Sequence, residues 1–258
     1  MRPTQHAGVH EDKGFLWTEN KVPGRAVYGE RLRKAGPKEY RNWNPFRSKL
    51  AALVRNAPDT PWLDGKGDVL YLGASTGTTV SHVADITAGT VYAVEFSPRS
   101  VRDLLWNVEP RANVVPILED AGRPARYAGY IAQPVAALVQ DVAQRHQVDI
   151  FLRNLPFLRQ DGLGFLMVKA RSINVAQPPS EIYAGVAARL QTAGLHVLRQ
   201  VDLAPFEKDH CAFVVSRQPP SAQPSAQPRA NRRTDLPSGG RRPDGPWDAA
   251  PHRGRGGR

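Results

Sequence analysis

Tyr71-Leu72-Gly73-Ala74-Ser75-Thr76-Gly77-Thr78-Thr79-Val80-Ser81-His82-Val83, followed a few residues later by Val91-Tyr92-Ala93-Val94-Glu95-Phe96, decides the fold of this chain. An apolar strand runs into a turn of small residues, an amphipathic helix follows, and a second apolar strand ends on an acid. This is the nucleotide-type half of a doubly wound α/β domain. The start of the helix can hold an anion, and the acid can accept hydrogen bonds from ribose hydroxyls. The spacing suits a dinucleotide or S-adenosylmethionine. It lacks the strict G-x-G-x-x-G fingerprint, so it points to adenosine without choosing the cofactor. A tight βα turn with no ligand would carry the same residues.

Working outward, strand and helix patterns alternate from Asp68. Strands are expected at Val69–Leu72, Val91–Glu95, Val114–Leu118, Ala136–Gln140, Gly164–Lys169, Leu195–Val201 and Ala212–Ser216. Helices are expected at Thr78–Asp85, Pro98–Asn107, Val148–Leu158 and Ser180–Thr192. Near-continuous apolar strands suit a parallel sheet covered on both faces. The last two strands are joined without a crossover helix and should pair antiparallel. Seven strands ending in an antiparallel hairpin is the layout typical of methyltransferases. The expected fold is therefore α/β, a Rossmann-like seven-stranded methyltransferase sheet spanning residues 56–217.

Upstream, Phe15-Leu16-Trp17 and Ala26-Val27-Tyr28-Gly29 alternate with Gly and Pro punctuation. Short strands and turns follow, giving a small β-rich N-terminal domain and linking helix over residues 14–55. That helix is expected to start near Asn44-Pro45. Residues 1–13 read as a flexible N-terminus with no apolar signal region. Residues 218–258 are rich in Pro, Gly, Ser, Gln and Arg and almost lack aliphatic side chains, so a disordered tail is expected there.

The chain has 258 residues and a formal net charge of +11. Eight arginines against three aspartates in the tail account for five of those charges. The basic balance favours a polyanionic partner such as RNA, although it also serves solubility. The ending Arg253-Gly254-Arg255-Gly256-Gly257-Arg258 suits flexible phosphate contact and base stacking. A single cysteine, Cys211 in an apolar run, excludes an intrachain disulfide and a cysteine-based zinc site. No apolar run reaches membrane-spanning length, so a soluble intracellular protein is expected.

In open α/β sheets, ligands bind beyond the carboxyl ends of the strands. Here those ends carry Gly73 to Thr79, Glu95-Phe96, Glu119-Asp120-Ala121, Asp141-Val142-Ala143-Gln144 and Lys169-Ala170-Arg171-Ser172. Any one of these could be a helix cap; the set argues for a site. Glu95 would hold a ribose, and Phe96 would pack on adenine. Asp120 and Ala121 would read the adenine edge, while Thr78 and Thr79 would line the methionine end. Asp141 lies deepest at the centre of the sheet. Lys169 ends a strand interior, where a cation needs an anion nearby; an ion pair with Asp141 is the simplest arrangement. Glu207-Lys208-Asp209-His210 reads first as a solvated hairpin, and otherwise as a rim where His210 takes part in proton transfer.

Residues from about Phe15 to Arg217 resemble fibrillarin in its archaeal form, the RNA 2′-O-methyltransferase of box C/D ribonucleoproteins. The resemblance rests on Val22-Pro23-Gly24, Val27-Tyr28-Gly29-Glu30, Glu39-Tyr40-Arg41, Trp43-Asn44-Pro45, Arg47-Ser48-Lys49-Leu50-Ala51-Ala52 and Tyr71 to Val83. It extends through Val91 to Arg99, Asp141 to Gln144, Lys169 to Ser172 and Glu207 to His210. It implies a cofactor set of Thr78, Thr79, Glu95, Phe96, Asp120, Ala121, Asp141, Val142, Ala143 and Gln144. It also implies a catalytic group of Lys49, Asp141, Lys169 and His210. Of these four, Lys49 carries no local signal of its own. The chain departs from the family pattern at Ser75-Thr76, Gly122 and Arg145-His146.

The resemblance implies S-adenosylmethionine as cofactor, with guide RNA, target rRNA or tRNA, a Nop-family scaffold protein and a kink-turn-binding protein as partners. Protein glutamine methylation at the same cofactor site is the competing enzymatic reading. A non-catalytic RNA-binding subunit is the competing reading outside catalysis. An oxidoreductase would need the dinucleotide fingerprint that is missing.

Overall fold

The computed structural model describes residues 1–219, which fall within one compact unit. The chain builds strands β1 (Arg2–Pro3), β2 (Val9–Asp12), β3 (Phe15–Glu19), β4 (Leu32–Ala35) and β5 (Lys38–Trp43), and then helix α1 (Lys49–Asn56). Next come β6 (Val69–Leu72), α2 (Thr78–Ile86), β7 (Val91–Glu95), α3 (Pro98–Val108), β8 (Val114–Leu118) and β9 (Val135–Gln140). The order ends with α4 (Gln147–Asn154), β10 (Leu158–Lys169), the single turn α5 (Ala170–Ile173), α6 (Pro179–Thr192), β11 (His196–Asp202) and β12 (His210–Ser216).

The seven-stranded sheet has the order β11-β12-β10-β9-β6-β7-β8. Neighbours from β10 to β8 run parallel, and β12 is antiparallel to both β10 and β11. Successive side chains of a strand point to opposite faces. Val69 and Tyr71 accordingly join the core beneath α1 and α2, while Leu70 and Leu72 join the one beneath α4 and α6. The expected methyltransferase sheet and its terminal hairpin are present.

Three expectations for the N-terminal region are corrected. Residues 1–13 are not a loose end: β1 and β2 extend the N-terminal sheet, whose order is β1-β2-β3-β5-β4. Val9 is buried there, and the buried His6 packs edge-on against Trp62. The N-terminal sheet also has no core of its own. Val9, Leu16 and Trp43 share one apolar cluster with Leu50, Val80, Val83 and Leu104. Lastly, Asn44-Pro45 forms a turn, in which the Asn44 side chain accepts from Phe46 N at 2.8 Å and its carbonyl from Arg47 N at 3.0 Å. The helix begins only at Lys49, with Ser48 as its N-cap.

The helix expected over Val148–Leu158 stops at Asn154. Pro156 has no N–H to donate in a continuing helix, so the helix ends and Leu155–Phe157 tightens into one 3₁₀ turn. Strand β10 therefore starts at Leu158, six residues earlier than expected, and shifts register before Leu163. The tail expected over 218–258 lies outside the described residues from residue 220 onward.

A buried charge network fastens the two sheets together. Arg41 on β5 donates to Glu30 at 2.6 Å, to Asp85 on α2 at 2.6 Å and to Ser81 at 2.9 Å. Arg111 completes the Asp85 carboxylate at 3.0 and 3.1 Å. Two cations face two anions, so the desolvated charges balance.

Candidate cofactor and catalytic site

The carboxyl ends of β6, β7 and β9 meet where the chain turns from β6 into α2. Gly73 adopts φ +82°, and a Cβ on it would stand 2.4 Å from the Asp141 carbonyl oxygen. Only glycine allows the first turn to lie against the end of β9. Gly77, the N-cap of α2, adopts φ +90°, and a Cβ there would meet Leu104 at 2.8 Å. Gly73 lines an open cleft of about 260 Å³ above the sheet.

Gly73, Ser75, Glu95, Phe96, Glu119, Asp120, Ala121, Asp141, Val142, Ala143 and Gln144 all line this one cleft. Eight of the ten cofactor residues expected from the sequence are thus gathered in a single place. Thr78 and Thr79 are not among the lining residues. Thr79 is largely buried, and its hydroxyl donates to Ser48 Oγ at 3.1 Å.

Glu95 is nearly buried, and its two carboxylate oxygens accept from Ser75 N at 2.8 Å and Ser97 N at 2.9 Å. These bonds fix the carboxylate while leaving each oxygen a free lone pair for a ligand hydroxyl. Phe96 is 66% exposed at the cleft edge, an aromatic face ready for a planar ring. Asp120 is held by Gly122 N at 2.8 Å. The Ala121 carbonyl accepts from Asn154 Nδ2 at 2.9 Å, and the Tyr127 hydroxyl bonds Asn154 Oδ1. Tyr127 and Asn154, which carry no sequence signal for this role, hold the Asp120-Ala121 turn.

At the other end of the cleft, Lys49 Nζ lies 3.1 Å from each carboxylate oxygen of Asp141. The simplest pairing read from the sequence is therefore corrected: Lys49, not Lys169, forms the ion pair with Asp141. The first turn of α1 delivers Lys49 to the sheet centre, a tertiary placement with no sequence signal. Lys169 and His210 stand opposite each other in the β10–β12 register. Gln147, fully buried, holds the Lys169 backbone through two hydrogen bonds, at 3.0 Å and 3.1 Å.

His210 Nδ1 lies 2.7 Å from the Lys208 carbonyl, which can only accept, so Nδ1 carries the proton. Nε2 then holds the free lone pair. Burial lowers the imidazole pKa, with the Lys208 carbonyl opposing and the Lys49 charge reinforcing the shift. His210 is accordingly neutral at pH 7 and able to accept a proton. Cys211 beside it is buried, and burial pushes its thiol up to about 12, which leaves it unreactive.

Fold and cleft together define a methyltransferase of the S-adenosylmethionine-dependent α/β class. The fibrillarin family model matches residues 3–219. The chain belongs to the fibrillarin family. It is 47% identical over 213 residues to the fibrillarin-like rRNA/tRNA 2′-O-methyltransferase of Methanothermobacter thermautotrophicus, covering 81% of this chain and 94% of that protein. Among solved structures, fibrillarin of Methanococcus jannaschii superposes with a TM-score of 0.77 at 39% identity, covering 83% of this chain and 98% of that one. Aeropyrum pernix fibrillarin with natively bound S-adenosyl-L-methionine gives 0.74 at 41% identity, covering 83% and 96%. The fibrillarin of a fibrillarin/Nop5p complex gives 0.77 at 36% identity, covering 84% and 100%.

Proposed function

We propose that this chain is the methyltransferase of a box C/D guide ribonucleoprotein, acting on ribose 2′-hydroxyls of rRNA and tRNA. The observation that carries the reading is the Lys49–Asp141 pair, set 3.1 Å apart at the end of a cleft built for adenosine. The cofactor is S-adenosylmethionine. The cleft residues suit it: Glu95 offers two anchored carboxylate oxygens, Phe96 an uncovered ring, and Asp120 and Asp141 negative charge for a cationic ligand. When bound, S-adenosylmethionine supplies an electrophilic methyl group on a sulfonium.

A ribose hydroxyl is a poor nucleophile, so the chain's own residues must align it and let its proton leave. Asp141 orients that hydroxyl and draws its proton, while Lys49 holds the carboxylate and anchors the nucleotide's phosphate or ribose. His210, neutral with its Nε2 lone pair free, assists proton removal, and Lys169 opposite it balances the charge. Alignment supplies much of the rate, since effective molarities reach roughly 10⁵–10⁸ M in well-oriented systems.

Target choice lies with a guide RNA, held by a Nop-family scaffold protein and a kink-turn-binding protein. The net charge of +11 suits contact with a duplex backbone that is gripped without being read. The test is calorimetric titration with S-adenosylmethionine, alongside tritiated methyl transfer to a guide-paired RNA in the reconstituted complex. Transfer to the paired ribose, and its loss in Asp141→Ala at saturating S-adenosylmethionine with cofactor affinity measured separately, is the expected result. Binding without RNA transfer would redirect the search to a glutamine side chain. Full activity in Asp141→Ala would remove Asp141 from the mechanism.

A further inference from the structure

Arg171 stands at the rim of the catalytic group with its side chain held in place and part of its donor set unspent. It lies on the single turn α5, which follows Lys169 directly, and its side chain is 45% exposed. Nε donates to Asp209 at 3.2 Å and Nη1 to the Val175 carbonyl at 2.8 Å. Among the described residues nothing takes the remaining nitrogen, Nη2, and Asp209 pairs through one oxygen and not as a two-pronged fork. A long, exposed side chain ordinarily keeps its rotamer freedom. This one is fixed by two contacts.

The brace comes from the hairpin that carries His210. Asp209 immediately precedes that histidine and adopts φ +57°, a left-handed setting that aspartate tolerates better than most residues but that still costs it free energy. Its carbonyl accepts from Ala170 N at 3.0 Å, and Lys169 and His210 stand opposite each other in the sheet. These main-chain contacts already join α5 to the hairpin, and an exposed ion pair adds little to them. Stapling the two segments therefore gives no reason for a guanidinium here. Aiming a cation at a ligand next to Lys169 and His210 does.

The chemistry of the acceptor supplies the ligand. In an RNA strand the 2′-oxygen is vicinal to the 3′-oxygen, so a phosphodiester accompanies every target hydroxyl, with another on the 5′ side of the same ribose. At this end of the sheet Lys49 is already engaged by Asp141. A guanidinium with N–H groups to spare matches phosphate oxygens more closely than an ammonium does. Contacts of this kind fix the register of a strand without reading its bases, as a guided enzyme requires. We propose that Arg171 receives a phosphodiester of the target strand next to the methylated ribose, with Asp209 and the Val175 carbonyl holding the guanidinium in place for it. The proposal rests on the reading of the chain as a ribose methyltransferase and adds a contact to its target strand.

The test combines Arg171→Ala with target RNAs that carry one neutral amide linkage in place of the phosphodiester 5′ or 3′ of the target ribose. Methyl transfer is measured in the reconstituted guide complex at saturating S-adenosylmethionine. The parent should lose about tenfold in rate with one of the two linkages, as loss of one charge-assisted contact produces. Arg171→Ala should lose about tenfold on the natural RNA and less than about twofold more on that modified RNA, because both changes remove the same contact. The salt dependence of its rate should be shallower by about one power of the salt concentration, and Arg171→Lys should recover most of that slope. An arginine with a purely structural role would leave the slope unchanged. Losses that multiply for both linkages would overturn the proposal, as would an unchanged rate or a fall in S-adenosylmethionine affinity in Arg171→Ala. Coupling to a linkage in the guide strand instead would overturn it as well. No transfer by the parent complex to the paired ribose would refute the underlying reading, and this contact with it.

Discussion

Glu95 shows how much one side chain carries in this site. Its carboxylate ties the Ser75 turn and the start of α3 together through Ser97 N, and it faces the cleft as well. Hydrogen bonds to a charged group contribute about 1.5–3 kcal/mol each. Glu95→Ala should therefore weaken S-adenosylmethionine binding by about tenfold to a hundredfold, read by calorimetric titration. Tyr127→Phe removes the hydroxyl that reaches Asn154 and the Ala121 carbonyl, and so loosens the Asp120-Ala121 turn. A severalfold loss of cofactor affinity with methyl transfer intact at saturation is the outcome to look for. Glu95 and Asp120 were legible in the sequence because each follows an apolar strand. Tyr127 was not, since a tyrosine amid Arg and Gly has no marker of the turn it supports.

Among the elements, the β6–α2 turn was read correctly because its glycines have a physical necessity. Gly73→Ala would place a methyl group 2.4 Å from a backbone oxygen in a conformation of positive φ. We expect it to destabilise the protein by more than about 2 kcal/mol and to abolish cofactor binding, as thermal unfolding and titration would show. Helix α1 is less legible. Its apolar residues are visible in the sequence, but Asn44-Pro45 suits the N-terminus of a helix as well as a turn, while the helix begins at Lys49. The Asn44 side chain instead closes a turn onto Phe46 N, and the choice between these arrangements depends on where Trp43 must be buried. The end of α4 is hard to read for a related reason: the apolar pattern continues through Pro156 into strand β10.

For the whole molecule, the N-terminal sheet and the methyltransferase sheet behave as one body held by buried polar groups. Arg41 is fully buried between Glu30 and Asp85. Arg41→Met leaves two carboxylates without their partner and should cost about 3–5 kcal/mol, measured by urea unfolding. His82 lies in the same seam, stacked on Trp43, with Nδ1 2.7 Å from the Thr18 hydroxyl and Nε2 2.9 Å from the Tyr28 hydroxyl. Tyr28 spends its proton on the Asn42 carbonyl, so His82 donates from Nε2 and accepts at Nδ1. Burial and the charges of Arg41 and Arg111 push its pKa well below the ordinary 6.5.

The unfolded chain consequently binds a proton at His82 that the folded chain refuses. Stability is fully present above about pH 6.5 and declines as pH falls through that value, by up to about 1.4 kcal/mol per pH unit for one histidine. His6, His10 and His210 are lowered too and act in the same sense. The lowered carboxylates of Glu19, Glu39 and Asp64 add stability that is fully present above the ordinary carboxylate range and is lost only as pH falls through that more acidic range. Urea midpoints compared at pH 7.5 and about pH 5.5 should show the decline, and His82→Gln should make it shallower.

The sequence by itself determined the alternating sheet, the glycine turn, the acids at the strand ends and the family. Each of these is written in local periodicity or in residues that one short segment must contain. Tertiary structure alone decided that Lys49 and not Lys169 meets Asp141, that Thr79 turns toward Ser48, and that the N-terminal strands share the central core. Those outcomes depend on where α1 lands on the sheet. Its landing is set by burial of Leu50 and Leu53 and by partners scattered from Leu16 to Leu203, a sum of weak contacts that no single segment records.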